Sequence, residues 1–292
     1  MPSPTLLTDD EIVRLVRIAV ERLGVTEVRF TGGEPLIRRG LIGIVEQAAA
    51  LSPRPRLSVT TNALGLARLA APLRAAGLDR VNVSLDTLQA DRFVALARRD
   101  RLADVIEGLA AAEAAGMRPV KVNAVLMRGV NDDEAPQLLR WCLDRGYELR
   151  FIEQMPLDAQ HGWQRAEMVT AGEILAALRT GFALTPDGHD RGAAPAERWL
   201  VDGGPASVGV IASVTRPFCG ACDRTRLTAD GQVRSCLFAR TETDLRALLR
   251  GGSSDAEIAE AWRTAMWGKL AGHGIDEPGF LQPDRPMSAI GG

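Results

Sequence analysis

No stretch of the 292-residue sequence approaches the roughly 18 uninterrupted apolar residues of a membrane-spanning helix, and Met1 to Asp10 carry neither a basic start nor an apolar h-region. A cytoplasmic protein without membrane contact is expected. Excess positive charge is lacking too. A net charge of −2 and a pI near 6.0 provide no overall field to draw nucleic acid, so any anion site must be local. Glycine-rich nucleotide signatures are missing, with no G-x-G-x-x-G and no G-x-x-x-x-G-K-[ST] anywhere. Any nucleotide must be held by another device. Cysteine is scarce: four residues, three of them gathered at Cys219, Cys222 and Cys236, argue against a secreted disulfide framework and for metal chemistry. Cys142 stands apart in the apolar helical stretch Leu138 to Leu143 and reads as a buried structural thiol.

With 46% hydrophobic and 25% charged residues, the chain can bury a core of ordinary size. Five short strand-like runs alternate with helical patterns, around Val28 to Thr31, Leu57 to Thr61, Val81 to Asp86, Val120 to Val125 and Leu149 to Ile152. Between them lie a Thr8-x-x-Glu11 capping box, an amphipathic run from Leu102 to Ala115, and Asn131-Asp132-Asp133-Glu134 opening the helix that carries Cys142. Strands separated by helices predict an α/β fold with a parallel sheet, open or closed into a barrel.

Alternate residues of a strand share a face, and here one face is polar each time. Glu27, Arg29 and Thr31 alternate with Val28 and Phe30, then Ser58, Thr60 and Asn62 with Leu57 and Val59. Asn82, Ser84 and Asp86 oppose Val81, Val83 and Leu85; Lys121 and Asn123 oppose Val120 and Val122; Arg150 opposes Leu149 and Phe151. Parallel strands buried on both faces read as nearly continuous apolar runs, which these do not. The polar faces either converge on a lumen that holds a polar ligand or form one solvated side of a sheet. Converging Arg29, Lys121 and Arg150 favour an anionic ligand.

After about Pro156, Gly/Pro/Asp-rich stretches such as Thr185 to Gly188 and Asp202 to Pro205 replace the βα period, so a smaller C-terminal unit is expected there. It carries Cys219-x2-Cys222-x13-Cys236. Three thiolates suit either a structural zinc with a fourth ligand from elsewhere or an iron–sulfur cluster with one open iron. None of His161, His189 and His273 lies at ligand spacing from the triplet, which leans away from a closed zinc site. Arg224 and Arg226 follow at i and i+2, a pair that either binds phosphate beside the metal or decorates a solvated edge. Gly32-Gly33-Glu34-Pro35 either admits a ligand close to the backbone or makes a tight turn.

Together with Val28 to Leu36, Thr60-Thr61-Asn62, Val81 to Asp86, Val120 to Asn123, Arg150 to Met155, the cysteine triplet with its arginines, and the Gly291-Gly292 end, the chain resembles the GTP 3',8-cyclases of molybdenum cofactor synthesis, members of the radical S-adenosylmethionine (SAM) superfamily. The resemblance implies a partial, six-stranded radical SAM βα barrel over residues 1–156 and a region over 157–292 that carries a second [4Fe-4S] cluster and the glycine tail. In the family one cluster cleaves SAM to a 5'-deoxyadenosyl radical that takes the ribose 3' hydrogen of GTP. Attack on C8 then gives 3',8-cyclo-7,8-dihydroguanosine 5'-triphosphate, which cyclic pyranopterin monophosphate synthase consumes. By resemblance, Gly33, Ser84 and Met155 line the SAM site, and Arg29, Thr60, Lys121, Arg224, Thr225 and Arg226 contact GTP. Arg150 is a further candidate for the triphosphate. Cys219, Cys222 and Cys236 hold the cluster whose open iron binds guanine, and Gly291 and Gly292 reach into the active site. An electron donor is required, and a monomer or homodimer is expected.

One departure stands out. The family's C-x3-C-x2-C motif, which binds the SAM cluster after the first barrel strand, is followed by Met-Pro, and this chain begins Met1-Pro2. The expectation is an N-terminally truncated cyclase that lacks the first strand and the ligands of the SAM cluster and does not itself cleave SAM. The alternative is a non-catalytic form that binds GTP and one cluster. The strand from Val28 is expected to be left as a sheet edge.

Overall fold

The computed structural model describes residues 4–291. In chain order the barrel region runs α1 (Asp9–Leu23), β1 (Glu27–Phe30), α2 (Leu41–Ala49), β2 (Arg56–Thr61), α3 (Leu66–Ala75), β3 (Arg80–Ser84), α4 (Ala90–Ala97), α5 (Leu102–Ala114), β4 (Val120–Val125), α6 (Ala135–Leu143) and β5 (Glu148–Ile152). All five expected strands form, and β1 to β5 pair in parallel in sequence order. Among the described residues, β1 at one edge pairs only with β2. The capping box at Thr8 and Glu11 starts α1, and Gly24 at φ +71° ends it in the left-handed region that glycine adopts without strain.

The sheet does not stop at residue 156. After α7 (Ala171–Leu178) come β6 (Leu184–Pro186), β7 (Glu197–Val201) and β8 (Ser207–Ile211), and β8 pairs in parallel with β5. The order is β1-β2-β3-β4-β5-β8-β7-β6, with β7 and β6 antiparallel beyond β8. The Asp202-Gly203-Gly204-Pro205 turn joins β7 to β8 through three consecutive positive φ values. A separate three-stranded sheet, β9 (Arg226–Leu227), β10 (Gln232–Arg234) and β11 (Thr243–Asp244), precedes α8 (Leu245–Arg250), α9 (Asp255–Trp267) and α10 (Met287–Ile290).

Two cores result. The larger packs the apolar faces of the barrel strands, such as Leu57, Val83, Val122 and Phe151, against the helices, with Cys142 fully buried among them. The smaller joins Leu15 and Ile18 of α1 to Val233, Leu245, Ile258 and Trp262, so the first helix is bound to the last third of the chain. Arg14 with Asp255 and Arg250 with Glu11 reinforce that union at the surface. Among the described residues no helix is long and apolar enough to cross a membrane.

Candidate active site

The middle of the polar strand faces is covered rather than solvated, Ser58 and Asn82 being only 3% and 2% exposed, while Glu27, Arg29 and Ser84 stay exposed. Strand register sets the rows: Arg29 lies beside Ser58, Thr60 beside Asn82 beside Lys121, and Ser84 beside Asn123 beside Arg150. Asn82 donates to Thr60 Oγ1 (3.2 Å), while Arg150 donates to Asn123 Oδ1 (2.9 Å) and to Asn82 Oδ1 (3.0 Å). Lys121 reaches Glu148 at 2.5 Å. The parity does not extend to Asp86, because β3 ends at Ser84. The Asp86 carboxyl instead accepts from Val125 N (2.8 Å), and burial pushes its pKa up to about 6.

The C-terminal region closes on the same lumen. Burial and the nearby Arg29 and Arg224 hold Arg226 down at about 9; burial and Arg29 hold Arg150 at about 10. Arg29 is lowered by its protein surroundings and by Arg224 and Arg80, although it stays accessible to water on the edge strand. Lys121 is lowered by burial more than Glu148 raises it. Glu148 pairs Lys121, but Arg29 depresses both Arg150 and Arg226, and a multiply charged anion is a ligand that relieves such a group.

Gly209 of β8 makes room for one of these cations. It lies opposite Arg150, and a Cβ there would come 2.9 Å from Arg150 Cγ and 3.1 Å from Ala196 Cβ. An isolated glycine in the run Ser207-Val208-Gly209-Val210-Ile211 is the sequence mark of such an approach.

Cys219, Cys222 and Cys236 lie beside the arginines. Cys222 Sγ accepts from Arg224 Nε (3.3 Å) and Lys269 Nζ (3.2 Å). Burial alone works against its thiolate, yet Arg224 and Lys269 outweigh that and lower the pKa. Cys219 is raised by burial and then by Cys236 and Cys222. Among the described residues no three His, Cys, Asp or Glu side chains could hold one metal ion. The donor set is three thiols, with Arg224 and Lys269 poised on Cys222. His273 reaches the triplet by folding rather than spacing: its backbone N–H lies on Cys219, while its ring faces Ser213 O (2.9 Å) and Phe238.

Two further site residues have neighbours within the chain. The Thr225 hydroxyl accepts from Trp262 Nε1 (2.8 Å), a residue of the smaller core. Gly33 is approached by the chain's own C-terminal segment, with Ser288 O 3.5 Å from where its Cβ would be. Gly291 packs against Thr31, and its carbonyl accepts from Arg226. Gly292 lies outside the described residues. Ser84 and Met155 sit at or beyond the C-terminal ends of β3 and β5, and Gly33 follows β1, so the three share one end of the barrel.

Two carboxylates, Glu34 half-buried and Glu153 buried, went unassigned from sequence. Glu34 of the Gly-Gly-Glu-Pro turn accepts from Leu36 N, Thr61 Oγ1 and Asn62 N, tying the end of β1 to that of β2. Glu153, 1% exposed, accepts from Ala171 N (2.7 Å), Val214 N and Thr215 N (both 2.8 Å), and so joins β5 to α7 and to the loop after β8.

Residues 1–142 match the Radical SAM superfamily model, and residues 147–275 match Molybdenum Cofactor Synthesis C. The chain is 71% identical over its full length to the GTP 3',8-cyclase of Streptomyces coelicolor, of which it spans 86%. It is 64% identical to the GTP 3',8-cyclase of a Mycobacterium species (strain KMS), spanning 83% of that protein, and 61% identical to GTP 3',8-cyclase 2 of Mycobacterium tuberculosis (strain H37Rv), spanning 82%. A solved radical SAM methyltransferase from Sphaerobacter thermophilus aligns with 78% of this chain and 62% of its own, at 19% identity and a TM-score of 0.49. On its sequence relatives, the chain belongs to the GTP 3',8-cyclase family of radical SAM proteins.

Proposed function

We propose that the lumen binds GTP and that the protein serves its 3',8-cyclisation, the first step of molybdenum cofactor synthesis. The observation that carries this is the meeting of Arg29, Lys121, Arg150, Arg224 and Arg226 with too few carboxylates to neutralise them, beside three cysteines. Arg29, Arg224 and Arg226 take the phosphate oxygens with guanidinium forks, and Lys121 adds a point charge. Thr60 and Asn82 fix the polar wall along which the ribose lies. Gly33, Ser84 and Met155 line the SAM site at the strand ends, above the anion floor. Cys219, Cys222 and Cys236 would hold a [4Fe-4S] cluster with one iron left open for the guanine. SAM cleavage needs a further cluster, and the one remaining cysteine, Cys142, is buried in α6, so removal of the ribose 3' hydrogen is assigned to no residue of this chain.

In this reading the side chains bind and aim. The phosphate end is pinned in the lumen, the base is held at the cysteine end, and the ribose is thereby set beneath the strand ends. Residues 1–156 provide the barrel wall and 157–292 the cluster and the tail, although β8 belongs to the same sheet. A cytoplasmic setting with an electron donor goes with it.

Replacing Arg224 or Arg226 by Ala tests the anion site. Each should weaken GTP binding by roughly one to two decades, the worth of a charged hydrogen bond of about 1.5–3 kcal/mol. Unchanged affinity in both variants would reject the site.

A further inference from the structure

Arg80 is a lumen cation that has so far been given no role. It shares its strand face with Asn82 and Ser84, and it sits at the opposite end of β3 from Ser84, beside Ser58. Its guanidinium donates to Glu27 Oε2 at 2.9 Å, and Glu27 also receives Arg56 from the more exposed side. That pairing fixes where the head of Arg80 sits. Its Nε, however, is buried with no hydrogen-bond partner. By strand parity Arg80 lies on the face that carries Asn82 and Ser84, and it contributes to lowering Arg29, Lys121 and Arg150.

An arginine held at one nitrogen and left with a buried, unpaired donor is expensive unless a ligand completes it. Depth indicates which part of the ligand. Four residues of strand separate Arg80 from Ser84, about 13 Å at 3.3 Å per residue. A ribose placed near Ser84 with one phosphate spans only part of that depth, whereas a chain of phosphates extends toward the floor. We infer that Arg80, oriented by Glu27, forms a terminal-phosphate subsite at the floor of the lumen and makes the protein select a nucleoside triphosphate over the di- and monophosphate. The inference rests on the reading of the lumen as a GTP site and adds to it the residue that counts phosphates.

Equilibrium binding of GTP, GDP and GMP to the cluster-loaded full chain and to R80Q decides it. The wild type should bind GTP more tightly than GDP, and R80Q should lose roughly 10- to 100-fold in GTP affinity while its GMP affinity stays within about twofold. Retained GMP binding shows that the variant is folded and its site intact. R80K carries the same comparison should R80Q not fold, and is expected to keep part of the preference for GTP. Equal losses for GTP, GDP and GMP, or no loss for GTP, would overturn the subsite while leaving the lumen as a nucleotide site. A wild-type chain that binds none of the three overturns the lumen reading, and the subsite with it.

Discussion

Gly209 offers a sharp test of the lumen because it contacts no ligand in the account above and acts only through Arg150. Substitution by Ala places a Cβ 2.9 Å from Arg150 Cγ and 3.1 Å from Ala196 Cβ. The Arg150 atom is near the root of the side chain, so the clash cannot be relieved by swinging the guanidinium alone, and Ala196 blocks escape on the other side. Overpacking of this kind costs about 1–3 kcal/mol. Moving the stem also breaks the bonds from Arg150 to Asn123 (2.9 Å) and Asn82 (3.0 Å), which keep the guanidinium in the lumen. G209A should therefore lower the urea midpoint and weaken GTP binding by about tenfold or more, with cluster content unchanged. In a double-mutant cycle, adding G209A to R150A should cost GTP affinity little further, since the same group is already lost. Wild-type GTP affinity in G209A, or fully additive losses in the cycle, would refute the placement of Arg150 and of β8 beside it.

Two other perturbations probe the scaffold and the cysteines. E153A leaves the buried N–H groups of Ala171 and Val214 without their acceptor, and at about 1–3 kcal/mol each the loss should be about 2–6 kcal/mol in urea unfolding, with E153Q milder; a change below about 1 kcal/mol would contradict the staple. In the cluster-free chain, iodoacetamide should label Cys222 first, because Arg224 and Lys269 lower its pKa, and Cys142 last, because burial pushes that thiol up to about 12. Peptide mass spectrometry showing Cys142 labelled as fast as Cys222 would reverse that order.

The strands and the lumen were legible because polar residues at every second position have one physical explanation in a parallel sheet. Extending the same parity one step back along β3 reaches Arg80, so that residue was within reach of the sequence. Extending it forward to Asp86 fails, because the strand ends first and the carboxyl turns to a neighbouring backbone N–H. Asn131 to Glu134 do lead into α6, but what the sequence does not show is that the Asn131 side chain, fully buried, bonds Met127 N, Asp86 O and Val125 O. The pairing of β8 with β5 was not legible, since more than fifty residues separate them and the run has no polar alternation to mark a lumen strand. The bond from Trp262 to Thr225 likewise depends on a helix some thirty residues later.

The most direct measurement is electron paramagnetic resonance of the dithionite-reduced, anaerobically reconstituted chain, with and without GTP, alongside iron and sulfide analysis. The account predicts about four irons and four sulfides on Cys219, Cys222 and Cys236, with a reduced-cluster signal that changes when GTP binds and that no longer changes in R226A at the same GTP concentration. Stoichiometric zinc without iron, or a cluster signal indifferent to saturating GTP, would contradict it.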